Sequence, residues 1–227
     1  MYHQIKQDFK AAFKQILKEG DSYALGEAAL PAYSHNNPLI DWLFWQRIKL
    51  AFEFALNKKS ARNVLDFGCG SGVLSYMLAQ ESFSVTACDV EFSPLHLVQK
   101  KIDFPNDIDF IEGDILDMEL PKNSFDIIFA LDVLEHIDSI ETYIVLFEKL
   151  LKPDGVIVVS GPTENVLYKI GRKIAGSRFQ GDYHVTNISL IKASFKKLLT
   201  VSTLKKLVFP IVLFEMFTAT KKKIEAE

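Results

Sequence analysis

A chain of 227 residues with 48% hydrophobic and 24% charged content can bury one α/β core with a short appendage. Its net charge of −3 argues against a nucleic-acid binder working through a large positive field. The two cysteines, Cys69 and Cys88, lack metal-ligand spacing and read as small packed thiols in a reducing cytosol. No stretch reaches the length of a membrane-spanning helix, because the longest apolar run is broken by Pro210 and Glu215. Acids and lysines throughout the N-terminus argue against a signal peptide.

The first sixty residues read as helices. Ile5, Phe9, Ala12, Phe13, Ile16 and Leu17 recur at helical spacing, with Lys6, Lys10, Lys14 and Lys18 as a stripe beside them, and Gly20 ends the pattern. Pro38 to Leu56 is apolar on most of its circumference. Within it Trp42, Phe44 and Trp45 stand too close together to share one face, so some must look away from the core. Two readings stand side by side: helices packed on the core, or a lid over an apolar acceptor, with Tyr33, Ser34 and His35 at its border. Residues 1–59 are therefore read as a helical cap and 60–227 as the core of one structural domain.

The run Asp66-Phe67-Gly68-Cys69-Gly70-Ser71-Gly72 then predicts a strand that ends on a carboxylate, turns through alternate glycines and opens a helix over Val73 to Ala79. The leading acid would repel a pyrophosphate but suits a cationic or hydroxyl-rich ligand. A dinucleotide fingerprint needs its third glycine where this chain has Val73. A second strand, Ser84 to Asp89, again ends on an acid, placed where such folds bind ribose hydroxyls. Ser93-Pro94 reads as an N-cap followed by proline at the first helical position. Ile108 to Glu112 is a third strand leading to Gly113-Asp114-Ile115, and Ser124 to Leu131 a fourth, apolar enough to be buried on both faces. A helix from Ile140 to Leu151, a turn at Lys152-Pro153-Asp154-Gly155 and the strand Val156 to Val159 follow. After a helix near Ile188 to Leu199, two apolar stretches, Val201 to Phe209 and Ile211 to Thr220, are split by Pro210.

The acid-led glycine turn resembles motif I of the class I S-adenosylmethionine-dependent methyltransferases, in particular the ubiquinone-type O-methyltransferases of the methyltransferase type 11/12 group. The resemblance covers about residues 60 to 220, most closely as far as Gly161. It implies a Rossmann-like, doubly wound α/β fold with helices on both faces. The sheet would be mostly parallel and seven-stranded, with an antiparallel last strand. It also implies S-adenosylmethionine as cofactor and S-adenosylhomocysteine as product. The cofactor residues it implies are Asp66, Gly68, Cys69, Gly70, Gly72, Asp89, Val90, Asp114, Ile115, Ala130 and Leu131, with Asp114 meeting the adenine amine.

Methyl transfer from a sulfonium needs alignment and exclusion of water, and a base only where the acceptor must lose a proton. Asp132-Val133-Leu134-Glu135-His136 follows the fourth strand and resembles the Glu-x-x-Glu-His segment of the ubiquinone-type enzymes, with Asp132 in place of the first glutamate. Three readings stay open: His136 as general base; Asp132, Glu135 and His136 around a divalent ion; or two capping acids and a packing histidine. His184, between Tyr183 and Thr186, is a second base candidate or a helix cap.

The acceptor is expected to be a small molecule or lipid-like. Val166, Leu167, Ile170 and Ile174, set beside Lys169, Arg172, Lys173 and Arg178, make a solvated helix face or, with the N-terminal lysines, a surface for anionic lipid. The expected place is cytoplasmic, with peripheral membrane contact if that surface is used. Two other functions are weighed: a cofactor-binding regulatory protein without chemistry, and a Rossmann-type NAD oxidoreductase, which Asp66 and Val73 disfavour.

Overall fold

The protein is described here by a computed structural model covering residues 1–19, 30–163, 186–208 and 212–222, the side chains of 31 and 32 aside. Tyr183, His184, Pro210 and the basic stretch Asn165 to Phe179 lie outside the described residues. Seven strands form one sheet in the order β3-β2-β1-β4-β5-β7-β6. The order changes direction at β1 and β4, the kind of switch point outside whose strand ends such sheets bind ligands. By contacts the chain divides into two compact units, Met1–Arg62 with Gly68–Ile115, and Asn63–Phe67 with Leu116–Glu227.

In the first unit, α1 (Tyr2–Glu19) buries the periodic face expected of it, Ile5, Phe9, Ala12, Phe13 and Ile16. Phe9 meets the rings of Tyr76 and Phe104 edge-on at 5.2 and 6.1 Å, so the helix is anchored by aromatic burial of about 2 to 3 kcal/mol per side chain. A short helix α2 (Leu30–Tyr33), with no counterpart in the sequence reading, precedes α3 (Pro38–Asn57). Asn37 caps α3 by accepting the Leu39 N–H, and Pro38 sits in its first turn. The aromatic cluster of α3 does divide: Trp45 is 1% exposed and donates its indole N–H to the Tyr33 carbonyl at 2.9 Å, whereas Trp42 is 40% exposed. Half of the lysine stripe is turned inward. Lys6, at 2.6 Å, and Lys10 both donate to the Asp41 carboxylate of α3. Burial alone would raise that carboxyl, but the two lysines hold it below the ordinary aspartate value.

The same unit contains α4 (Val73–Gln80), β2 (Ser84–Asp89), α5 (Ser93–Gln99) and β3 (Ile108–Glu112). Strands β2 and β3 pair in parallel from Val85 opposite Ile108 to Asp89 opposite Glu112. The expected Ser93 cap is shifted: Phe92 precedes the helix, no side chain caps it, and Ser93 is already helical. The Phe92 N–H is instead taken by the Glu112 carboxylate at 2.8 Å, so the helix start is tied to the end of β3.

The second unit holds β1 (Asn63–Phe67), β4 (Phe125–Leu131), α6 (Ile140–Leu150), β5 (Leu151–Pro162), α7 (Ile188–Leu198), β6 (Thr200–Val208) and β7 (Val212–Thr220). Strand β4 pairs in parallel with β1 and with β5, and its Ile127 to Ala130 are fully buried, as its apolar run requires. The predicted turn Lys152-Pro153-Asp154-Gly155 is accommodated inside β5. The register jumps from Phe125 opposite Leu151 to Ile127 opposite Val156, which leaves those four residues as a bulge where proline costs no ladder bond. Strand β7 runs antiparallel to both β5 and β6. Among the described strands only β7 therefore opposes the sheet direction, as expected of an antiparallel last strand. Strand β6 ends the sheet and carries two register shifts, between Thr203 and Lys205 and between Leu207 and Val208.

Candidate functional site

In the first unit the glycine turn behaves as its spelling requires. Gly68, Gly70 and Gly72 have φ of 72°, 54° and 75°, the left-handed region that glycine enters without steric cost. Their roles differ. A Cβ on Gly72 would lie 2.9 Å from Leu95 and from Phe104, so this glycine packs α4 closely; a Cβ on Gly70 would have no neighbour within 4 Å. Open space thus stands over Gly70 alone of the two, where a ligand can approach bare backbone.

The turn is tied to β2. The Gly68 and Cys69 N–H groups donate to the Cys88 carbonyl at 2.8 and 3.1 Å, and the Gly70 N–H donates to the Asp89 carboxylate at 2.8 Å. Burial raises the Asp89 carboxyl above the ordinary aspartate value, and the N–H groups of Gly70, Val90 and Glu91 offset part of that. Beyond it Val90 is 73% exposed, an apolar side chain in solvent beside a half-buried acid. The Gly113 N–H donates to the Asp89 carbonyl at 2.8 Å, bringing the half-buried Asp114 and the buried Ile115 to the end of β3. Gly68, Cys69, Gly70, Asp89, Val90, Asp114 and Ile115 thus belong to adjoining turns of one unit.

In the second unit Asp66 is 3% exposed on β1, Ala130 is fully buried and Leu131 half-buried at the end of β4. The acidic segment follows at once. Asp132 adopts φ 54° although it is not glycine. Its carboxylate accepts the Ser160 hydroxyl at 2.9 Å and its N–H donates to the Ser160 carbonyl at 3.0 Å. Glu135 is 2% exposed, and its backbone carbonyl accepts the Thr186 N–H at 3.4 Å. His136 is exposed. The two acids therefore point into the protein and the histidine out of it. Among the described residues no three His, Cys, Asp or Glu side chains are grouped as a metal site needs. Past His136, residues Ile137, Asp138, Ile140 and Glu141 line one side of a shallow hollow faced by Thr186, Leu190 and Ser194.

Ser160 was missed by the sequence reading, which ended the strand at Val159. The only local signal is a polar residue closing a β-branched run; its partner lies 28 positions upstream. Of the other candidates, Ser34 is buried with its hydroxyl on the Leu30 carbonyl at 3.0 Å, and His35 accepts the Asn37 N–H at 2.9 Å. Ser34 thus closes the end of α2, and His35 meets the residue that caps the start of α3. His184 lies outside the described residues, and the cap of α7 is Asn187, which accepts the Ser189 and Leu190 N–H groups.

Comparison with known proteins agrees with this geometry. Residues 65–159 match the methyltransferase domain family. A ubiquinone biosynthesis O-methyltransferase of Rickettsia typhi is 30% identical over 118 residues, 51% of this chain and 45% of that protein. One from Pseudomonas entomophila is 31% identical over 133 residues, 57% of this chain and 53% of that protein. The chain thus spans about half the length of the curated relatives it matches. The fold is shared with a magnesium protoporphyrin IX methyltransferase from Synechocystis, solved with bound S-adenosylhomocysteine; TM-score 0.66 and 17% identity, over 92% of this chain and all of that one. With its acid-led left-handed glycine turn and its β7-reversed sheet, the chain shares the fold of that methyltransferase, and its residues 65–159 are similar in sequence to the methyltransferase domain family.

Proposed function

We propose that the protein is an S-adenosylmethionine-dependent methyltransferase that methylates an oxygen of a small, apolar or lipid-like acceptor. The observation that carries this reading is the turn at Gly70, open above its backbone and fixed by the carboxylate that would also take ribose hydroxyls. That donor set fits the cofactor. Asp89 offers ionised oxygens to two hydroxyls, Val90 an apolar surface to the adenine, and Asp114 an acceptor to the adenine amine. Gly68, Cys69 and Gly70 supply backbone, with Ile115 as a buried floor. Asp66, Gly72, Ala130 and Leu131 are assigned to the site by the resemblance.

When bound, S-adenosylmethionine supplies a methyl group on a sulfonium, open to in-line displacement by the acceptor oxygen. The chain's own task is then alignment, exclusion of water and removal of the acceptor proton. His136, exposed beside the hollow, is the group proposed to take that proton at an imidazole nitrogen. The hollow is mixed, with Ile137, Ile140 and Leu190 set among Asp138, Glu141, Thr186 and Ser194, so an apolar acceptor is supported by the named relatives rather than by these walls. His184 is the alternative base.

Peripheral membrane contact and a cytoplasmic place are part of the proposal; no described helix is long and apolar enough to cross a membrane. Lys14 and Lys18 remain exposed for such a contact after Lys6 and Lys10 are engaged by Asp41. The test is calorimetry with S-adenosylhomocysteine and NAD, followed by transfer of labelled methyl to hydroxyl-bearing acceptors with and without an apolar tail. The reading expects the first ligand to bind, NAD not to, and the tailed acceptors to be preferred. Tight NAD binding, or transfer to amines alone, would overturn it.

A further inference from the structure

Two neighbouring residues of β5 lie beside the acidic segment. Ser160, fully buried, gives its hydroxyl to the Asp132 carboxylate at 2.9 Å and its carbonyl to the Asp132 N–H at 3.0 Å. Gly161 makes room. A Cβ there would stand 3.2 Å from Cδ1 of the buried Ile188 and 3.7 Å from Oε2 of Glu135. Because successive strand residues face opposite ways, Ser160 holds Asp132 on one face of the strand while Gly161 leaves room for Ile188 of α7 on the other. The paired strands fix the level, since Leu131 lies opposite Ser160.

Asp132 needs this support. A left-handed φ of 54° is rare outside glycine, and aspartate tolerates it better than most because its short side chain can bond locally. Here that side chain is bonded to a residue of another strand, which over-determines a backbone state that would otherwise relax. From Asp132 the chain runs through a 3-10 turn, Leu134–His136, with the buried Leu134 and Glu135 as its inner side. The His136 N–H donates to the Val133 carbonyl at 3.1 Å, so the direction of the imidazole follows the turn that Asp132 starts.

We propose that Ser160 is a positioning residue, which locks Asp132 so that the turn presents His136 outward. Asp132 then acts through the backbone it holds. This rests on the reading of His136 as the proton acceptor only for its kinetic consequence; the orientation of the ring can be measured without turnover.

The experiment compares Ser160→Ala, Asp132→Gly and Asp132→Asn in the full chain. Asp132→Gly keeps the left-handed backbone at no steric cost and loses the carboxylate alone, so it stays folded if Ser160→Ala does not. Asp132→Asn keeps an acceptor for the Ser160 hydroxyl and tolerates the same φ, while losing the charge that a base or metal ligand would need. The expected result is a shift of the His136 ring signals in nuclear magnetic resonance for Ser160→Ala and Asp132→Gly, reversed in Asp132→Asn. A displaced base costs about ten- to a hundredfold in kcat, so the first two variants lose that factor at unchanged S-adenosylhomocysteine affinity and Asp132→Asn recovers most of it. Unmoved ring signals in both Ser160→Ala and Asp132→Gly would overturn the proposal, as would an Asp132→Asn variant as impaired as Asp132→Gly. A wild-type level of turnover in His136→Ala would instead remove the base reading and leave the ring measurement to decide the positioning.

Discussion

The turn after β1 and the turn after β4 solve the same problem by opposite means. Both leave a parallel strand and both pass through left-handed backbone, at Gly68, Gly70 and Gly72 in one and at Asp132 in the other. The first clears side chains away and ties its backbone to Cys88 and Asp89, which leaves open space over Gly70. The second keeps its side chains and folds them inward, with Ser160 on Asp132 and Glu135 buried. A turn made of glycine yields a surface for a ligand, whereas a turn braced by acids yields a direction for one residue, His136.

The contrast breaks most sharply if His136 is not a base. His136→Ala is expected to lower turnover about a hundred- to ten-thousandfold while cofactor affinity stays within a few-fold, read from steady-state kinetics beside calorimetry. Activity abolished by a chelator and restored by magnesium would give the acids the leading part instead.

Asp89→Ala tests the other turn. Charge-assisted hydrogen bonds are worth about 1.5 to 3 kcal/mol each, so S-adenosylhomocysteine should bind roughly ten- to several-hundredfold more weakly. Its pH dependence has a definite sign. In the proposed site the ionised carboxylate would accept the hydroxyls, and burial lifts its folded value above the ordinary one. Affinity should therefore fall on acidification earlier than an exposed aspartate would allow, and stay flat in Asp89→Asn. Stability moves the other way: with the folded value raised, this group's contribution is greatest below the unfolded value and declines as pH rises through the folded one.

Between the glycines the difference should show as stability against binding. Gly72→Ala combines left-handed strain with overpacking against Leu95 and Phe104, together about 2 to 4 kcal/mol, measurable by denaturant unfolding. Gly70→Ala carries only the strain, about 1 to 2 kcal/mol, but should weaken S-adenosylhomocysteine more than its stability loss explains. Equal unfolding costs would erase the division of labour. The smallest effect is expected at α1, where Asp41→Asn should cost about 1 kcal/mol, because partly exposed ion pairs contribute little. That loss should appear only above the acidic range in which Asp41 is protonated, since its contribution vanishes as pH falls through its lowered folded value.

Strand and helix positions were legible wherever one residue type dictates local geometry. The Gly68, Gly70 and Gly72 spelling and the apolar run of β4 each announce their conformation, and β2 and β3 fall where alternation placed them. What stayed hidden was set at long range. The φ of Asp132 depends on Ser160 of another strand, the helical place of Ser93 on a carboxylate at the end of β3, and the inward half of the lysine stripe on Asp41 of another helix. The same limit explains β5, where a sound turn signal is absorbed as a bulge because β4 supplies a ladder on both sides of it.

The two register shifts of β6 bear on how the protein meets its own copies. A sheet that stops at an open strand offers a row of backbone donors and acceptors to any extended chain, the usual seed of edge-to-edge aggregation. Each shift interrupts the even spacing such a guest strand needs, and Lys205 and Lys206 stand exposed between them. An incoming strand would have to desolvate two ammonium groups while matching a broken ladder. The far edge of this sheet is thereby guarded against strand addition, even though its inner neighbour β7 buries Phe214, Glu215, Met216 and Phe217 in a row.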